Sequence, residues 1–172
     1  MGAAVARAPD ATVVLLAELD GAQIDALLVA YGARLEQVPT DSEIPGSYWK
    51  DTEAGLIGNI VYVRADTPAH SFLHELSHFI CMDDARRAAL ATDAGGTDEE
   101  ECGVCYLQVL LAHRLDGFGT ERCLGDMDAW GYSFREGSAR AWFEGDGVYA
   151  RAWLLGHGVV DSAGSPTQRL RI

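Results

Sequence analysis

The chain has 172 residues, 48% of them hydrophobic and 23% charged, with a net charge of −13 and a pI near 4.6. That length suits one domain with a proper core. So acidic a balance argues against a nucleic-acid partner, and no apolar run is long enough to span a membrane as a helix. The amino-terminal stretch lacks a basic region followed by a cleavable apolar segment, so a cytoplasmic setting is expected. Cys81, Cys102, Cys105 and Cys123 are then expected as reduced thiols.

Residues 1–10 are expected to fray. Thr12 to Ala17 is a short continuous apolar run and reads as a buried strand. Asp20 to Ala33 reads as an amphipathic helix, with Ile24, Leu27, Leu28 and Tyr31 on one face and Asp20 as its cap. Arg34 to Val38 reads as a second strand. From Pro39 to Gly58 the chain turns irregular, and Tyr48 and Trp49 fit either a substrate cleft or a cover over the sheet. Asn59 to Arg64 is β-branched and aromatic and reads as a strand. It is expected at the edge of the sheet, where an extended peptide could pair with it.

The segment from Pro68 to about Met82 has no further Pro or Gly, and Phe72, Leu76 and Phe79 recur at helical spacing. Thr67 is expected to cap it, with Pro68 in the first helical position. Within it stands His74-Glu75-Leu76-Ser77-His78. Residues four apart share a helix face, so His74 and His78 can aim two imidazoles at one metal ion. Glu75, one position around, can reach a water beside that ion. His70, one turn earlier, is expected near the cleft.

Two histidines need a third protein ligand. Thr97-Asp98-Glu99-Glu100-Glu101 opens a second helix running from Cys102 to His113. Thr97 and Glu100 fit a capping box, and acids suit the positive end of a helix. Glu100 is in line with Val104, Leu107 and Leu111, the most apolar stripe. Glu101 is in line with Cys105, Gln108 and Ala112. A ligand must point inward, so Glu100 is the expected third ligand and Glu101 the alternative. Cys102 and Cys105 form a C-x-x-C pair, read as helix packing rather than as a redox or zinc motif.

These residues resemble the ImmA/IrrE metallopeptidases. The likeness lies in the H-E-x-x-H helix, the short linker, and the acidic turn opening a helix that ends Leu110-Leu111-Ala112. Aligned on the double Leu, the resemblance implies a zincin-like core with Glu100 as ligand. Gly103-Val104 stand where Ala-Asn is usual in that family, and Tyr106-Leu107 where Phe-Ala is usual. The run His74 to Cys81 followed by Arg86-Arg87 is also similar to the elongation factor P hydroxylases. That resemblance implies Fe2+ held by the same two His and one carboxylate, and hydroxylation of a protein side chain.

The carboxy-terminal third is expected to be helical, with Ser138 to Leu155 as one or two helices broken at Gly145-Asp146-Gly147. Trp130, Tyr132 and Phe134 alternate and fit a strand or an aromatic wall. Asp126 or Asp128 is a candidate partner for a ligand histidine. His113 and His157 stand alone in the sequence. Residues 158–172 are expected as an exposed tail.

The expectation is therefore a single α+β domain over residues 1–172: a small mixed sheet, an edge strand beside the H-E-x-x-H helix, a second ligand helix and a helical carboxy-terminal part. The expected activity is zinc-dependent hydrolysis of a peptide bond in a peptide or protein substrate. Glu75 is the general base, and Tyr132, Arg135 or His157 stabilises the oxyanion. Tyr48, Trp49, His70, Tyr132 and Arg135 are the candidate cleft residues. Iron-dependent hydroxylation and a non-catalytic, metal-stabilised binding module are the alternatives.

Overall fold

A computed structural model describes residues 12–91 and 93–172; the stretch expected to fray, 1–10, lies outside them. The first helix, α1 (Gly21–Tyr31), starts where the Asp20 carboxylate accepts from Ala22 N–H at 2.8 Å. It stops at Gly32, whose φ of 70° suits glycine. Ile24, Leu27, Leu28 and Tyr31 are its buried face, as their spacing predicts. Burial pushes the Tyr31 hydroxyl up to about 12. The sheet has three strands, β1 (Arg34–Gln37), β2 (Gly55–Ile57) and β3 (Ile60–Val63). Their order is β1-β3-β2, with β3 parallel to β1 and antiparallel to β2.

The strand expected at the edge, 59–64, is thus the central one. The edge beside the long buried helix is β2, only three residues long. It joins β3 through a two-residue turn in which Gly58 takes a φ of 58°. Thr12 to Ala17 does not enter the sheet. Leu16 alone among them is buried, and Leu16–Glu18 is a 3-10 turn. Its backbone bonds to the start of the next helix instead, Leu16 N–H to Thr67 O and Ala69 N–H to Val14 O, both at 2.9 Å.

The central helix is α2 (Ala69–Cys81), buried along nearly its whole length. Thr67 does not cap it. Its hydroxyl accepts from Arg64 N–H at 2.8 Å and closes the turn leaving β3. Next come α3 (Asp84–Ala89) and α4 (Asp98–Ala112), the latter capped by Thr97, which accepts from Glu100 N–H at 3.2 Å. Helices α5 (Gly119–Trp130), α6 (Ala139–Glu144) and α7 (Gly147–Gly156) complete the seven. The break at Gly145–Gly147 does divide the expected helical stretch in two. Gly103 lets α4 and α7 approach closely, because a Cβ there would come within 2.7 Å of the Trp153 ring.

Residues 158–172 are not simply an exposed tail. Val159 and Val160 are buried, Val160 bridges Pro166, and Arg171 N–H donates to Ile80 O at 2.9 Å. The fold is α+β, and its core runs from the sheet through α2 and α4 to α5, α6 and α7. Among the described residues no helix is long and apolar enough to cross a membrane.

Candidate metal centre

The helical period of α2 puts His74 and His78 on one face, and their Nε2 atoms lie 3.1 Å apart. Helix α4 crosses this face and brings Glu101, with Oε1 at 3.4 Å from His74 Nε2 and Oε2 at 3.5 Å from His78 Nε2. One turn further along α4, Cys105 joins His74 and Glu101 in a group whose donor atoms all lie within 4.8 Å of one another. This His/Glu/Cys cluster could hold a metal ion. The spacings test the fit: a tetrahedral ion with bonds of ~2.0–2.2 Å separates neighbouring donors by about 3.3–3.6 Å.

Another turn on, Gln108 fixes the orientation of His74. Its Oε1 lies 2.7 Å from His74 Nδ1, and its amide nitrogen donates to His70 O at 3.3 Å. The amide oxygen therefore takes the Nδ1 proton, and Nε2 is left facing the cluster. Asp126 and Asp128, the candidates for such a role, are used elsewhere. Asp126 accepts from Val14 N–H and Arg122, and Asp128 from Ala139 N–H. Gln108→Leu is expected to weaken metal affinity by ~10–100-fold with the fold intact. A competition titration against a fluorescent chelator measures this, and an unchanged affinity would remove Gln108 from that role.

The expected ligand Glu100 is placed otherwise. Its carboxylate is buried and takes both contacts from Arg86 Nη1, at 2.8 and 2.7 Å, plus Arg171 Nη1 at 2.9 Å. It neither reaches the histidines nor completes a capping box. Arg86 also donates to Ala94 O and Gly95 O, so this knot anchors the 93–95 loop. Arg87 is buried too and donates to Phe79 O at 2.6 Å. Both arginines of the pair thus serve the fold.

A cleft of about 260 Å³ opens over the cluster. Glu75, His70, Trp130 and Tyr132 line it, and Tyr48 and Trp49 stand at its lip. The two lip aromatics are exposed and meet edge to face, with centroids 4.9 Å apart. The Tyr132 hydroxyl lies 3.4 Å from His70 Nδ1, and its ring sits 6.0 Å from that of His74. Arg135 is not among the lining residues; its side chain is 83% exposed and pairs with Asp146 at 2.7 Å. His157 packs on Trp153, away from the cleft.

Burial pushes the Glu75 carboxyl up to about 7, with neighbouring Glu101 and Glu53 adding to the rise. Burial, helped by the charge on His74, lowers His70 and His78 to about 3. At His74 burial works against charge, but Tyr132, Cys105 and Glu101 outweigh it and hold its pKa well above the ordinary value. Burial would likewise raise Glu101, but its contacts with His74 and His78 bring it to about 2.

That pattern sets a pH dependence for the metal-free protein. His70 and His78 charge near 6.5 when unfolded but only near 3 when folded, so their contribution is present above 6.5 and is lost as pH falls. Glu75 opposes this by one proton between its ordinary value of 4.5 and about 7. The net is about one proton, or ~1.4 kcal/mol per pH unit between roughly pH 6.5 and 4.5. Urea midpoints in chelator are expected to fall over that window; a flat or rising midpoint would contradict the assignment.

No family model, curated protein or solved structure matches the chain.

Proposed function

We propose that the protein is a zinc-dependent hydrolase of peptide-type amide bonds. His74, His78 and Glu101 would hold the ion, and Glu75 would act as general base. The observation that carries this reading is the spacing of the three ligand groups, 3.1, 3.4 and 3.5 Å, directly beneath a cleft that Glu75 lines. When bound, zinc supplies a Lewis acid and brings the pKa of a bound water to about 7.

The chain's own residues do the rest. Glu75, held near neutrality by burial, accepts a proton at its carboxylate and returns it to the leaving amine. Tyr132 is the one of the three oxyanion candidates that lines the cleft, with its hydroxyl 3.4 Å from His70 Nδ1 and its ring 6.0 Å from that of His74. The apolar walls limit water and strengthen these interactions.

Elemental analysis of protein purified without added metal or affinity tag tests the reading. About one zinc per chain, with cleavage of an unfolded protein that a chelator abolishes, is the expected result. Iron as the main metal, with oxygen consumption, would replace this reading with the hydroxylase one. Protein free of any metal would remove both.

A further inference from the structure

We infer that the centre works on free amino ends: its substrate is a peptide or aminoacyl amide entering end-on with a protonated α-amino group, not an extended internal segment. This rests on the hydrolase reading above and specifies which part of a chain enters.

The first observation is that the edge of β2 is filled. In a hairpin with a two-residue turn, the pair flanking the turn, Ile57 and Ile60, is hydrogen-bonded, and such pairs alternate along the strands. Leu56, one residue on, therefore turns its N–H and C=O away from β3, towards the free edge. Gly46 lies against them: a Cβ on Gly46 would come within 2.8 Å of both Leu56 N and Leu56 O. A Cβ on Gly55 would stand 1.9 Å from Pro45 O and 2.6 Å from Ser47 N. The strap 45–47 thus runs where an extended substrate would have to pair. Glu53 pins it, accepting from the Ser47 hydroxyl, from Trp49 N–H at 2.7 Å and from Asp51 N–H at 3.2 Å.

The second observation is size. About 260 Å³ is below the ~300–1,000 Å³ usual for drug-sized ligands. The cleft takes one residue and the bond beside it.

The third is the sign of charge. Glu53, Glu75, Asp93 and Glu101 line the cleft, and no Lys or Arg does among the described residues. The Arg86 guanidinium is committed to Glu100 and to the carbonyls of Ala94 and Gly95. Apart from the zinc that the hydrolase reading places at the bottom of the cleft, a carboxyl end would find no cationic side chain among the described lining residues, and it would meet Glu53 and Asp93. An ammonium meets Asp93, whose Oδ1 accepts from Gly95 N–H, and the aromatic faces of Tyr48 and Trp49 at the lip. The wall also holds a buried polar atom without a partner, His70 Nε2. In the reaction the first peptide C–N bond breaks, water oxygen bonds to the carbonyl carbon, and the leaving nitrogen takes a proton through Glu75.

The test uses the zinc-loaded full chain with two probes, leucine hydroxamate and N-acetyl-leucine hydroxamate, titrated calorimetrically. The free-amine probe is expected to bind at least about tenfold more tightly, and Asp93→Asn to narrow that gap. In parallel, leucyl-aminocoumarin is expected to be cleaved and its N-acetyl form not. Equal or tighter binding of the acetylated probe, or faster cleavage of a doubly blocked internal peptide, would overturn the inference alone. A zinc-loaded chain that binds neither hydroxamate would sink the hydrolase reading itself.

Discussion

Glu101→Ala is expected to lose the metal and keep the fold, and Glu100→Ala to keep the metal and lose stability. The two residues are neighbours on α4, yet they point into different surroundings. Glu101 offers an oxygen to each histidine, at 3.4 and 3.5 Å, and among the described residues the Cys105 thiol is the other donor grouped with His74 there. Burial raises the Cys105 pKa, so taking the place of Glu101 would require the ion to displace a thiol proton first. Metal affinity in Glu101→Ala should fall by more than about a hundredfold, in keeping with the loss of one of three protein ligands.

Glu100 is only 3% exposed and ties Arg86, on α3, to Arg171, near the carboxy-terminal end. Removing it strands two guanidinium groups that are themselves partly covered. Breaking such a buried network by deleting one partner costs about 3 kcal/mol, the low end of the usual range because both arginines can regain some water. For a chain of this size that is a fall in Tm of roughly 6–12 °C. Metal content and thermal unfolding of the two variants, measured side by side, read the difference. Loss of metal from folded Glu100→Ala would mean that the ion sits elsewhere.

The same pair shows where the sequence is legible and where it is not. The H-E-x-x-H spacing is a local property of one helix, so the convergence of His74 and His78 could be read directly. The choice between adjacent acids depends on which face of α4 meets α2. The most apolar stripe, Glu100-Val104-Leu107-Leu111, points to Glu100 as the inward acid. That stripe is indeed buried, but it packs into the core. The polar stripe, Glu101-Cys105-Gln108, is buried nearly as deeply because it faces the histidines. A buried metal centre needs polar neighbours, and a helix whose second-best stripe holds a carboxylate, a thiol and an amide at successive turns carries that signal. Gln108 was written in the sequence in this way, though its partner His74 lies 34 residues away.

Non-local placement also explains the other departures. β2 has three residues, one of them glycine, and no periodicity can mark it, so the central strand β3 looked like an edge. Val13 to Leu16 is apolar enough for a strand, but its backbone pairs with the turn before α2 instead of with the sheet. The carboxy-terminal segment is polar in composition, yet it is held by single contacts such as Arg171 with Ile80 O and Glu100, which composition does not report.

Glu75→Gln is expected to remove turnover while leaving the metal in place. The change keeps the size of the side chain and its ability to hydrogen-bond, but it removes a carboxylate whose pKa burial brings to about 7 and which lines the cleft beside the ligands. A general base contributes about 10²–10⁴-fold, and here one group both receives the proton and returns it, so the loss should lie at the upper end. Because the raised pKa of Glu75 records a carboxylate held in an unfavourable setting, a neutral amide there should also stabilise the metal-free protein above about pH 7. This second effect separates a failed fold from a failed base: rising stability with lost activity identifies Glu75 as the proton carrier. Retained activity in Glu75→Gln, with metal bound, would mean that the proton moves by another route.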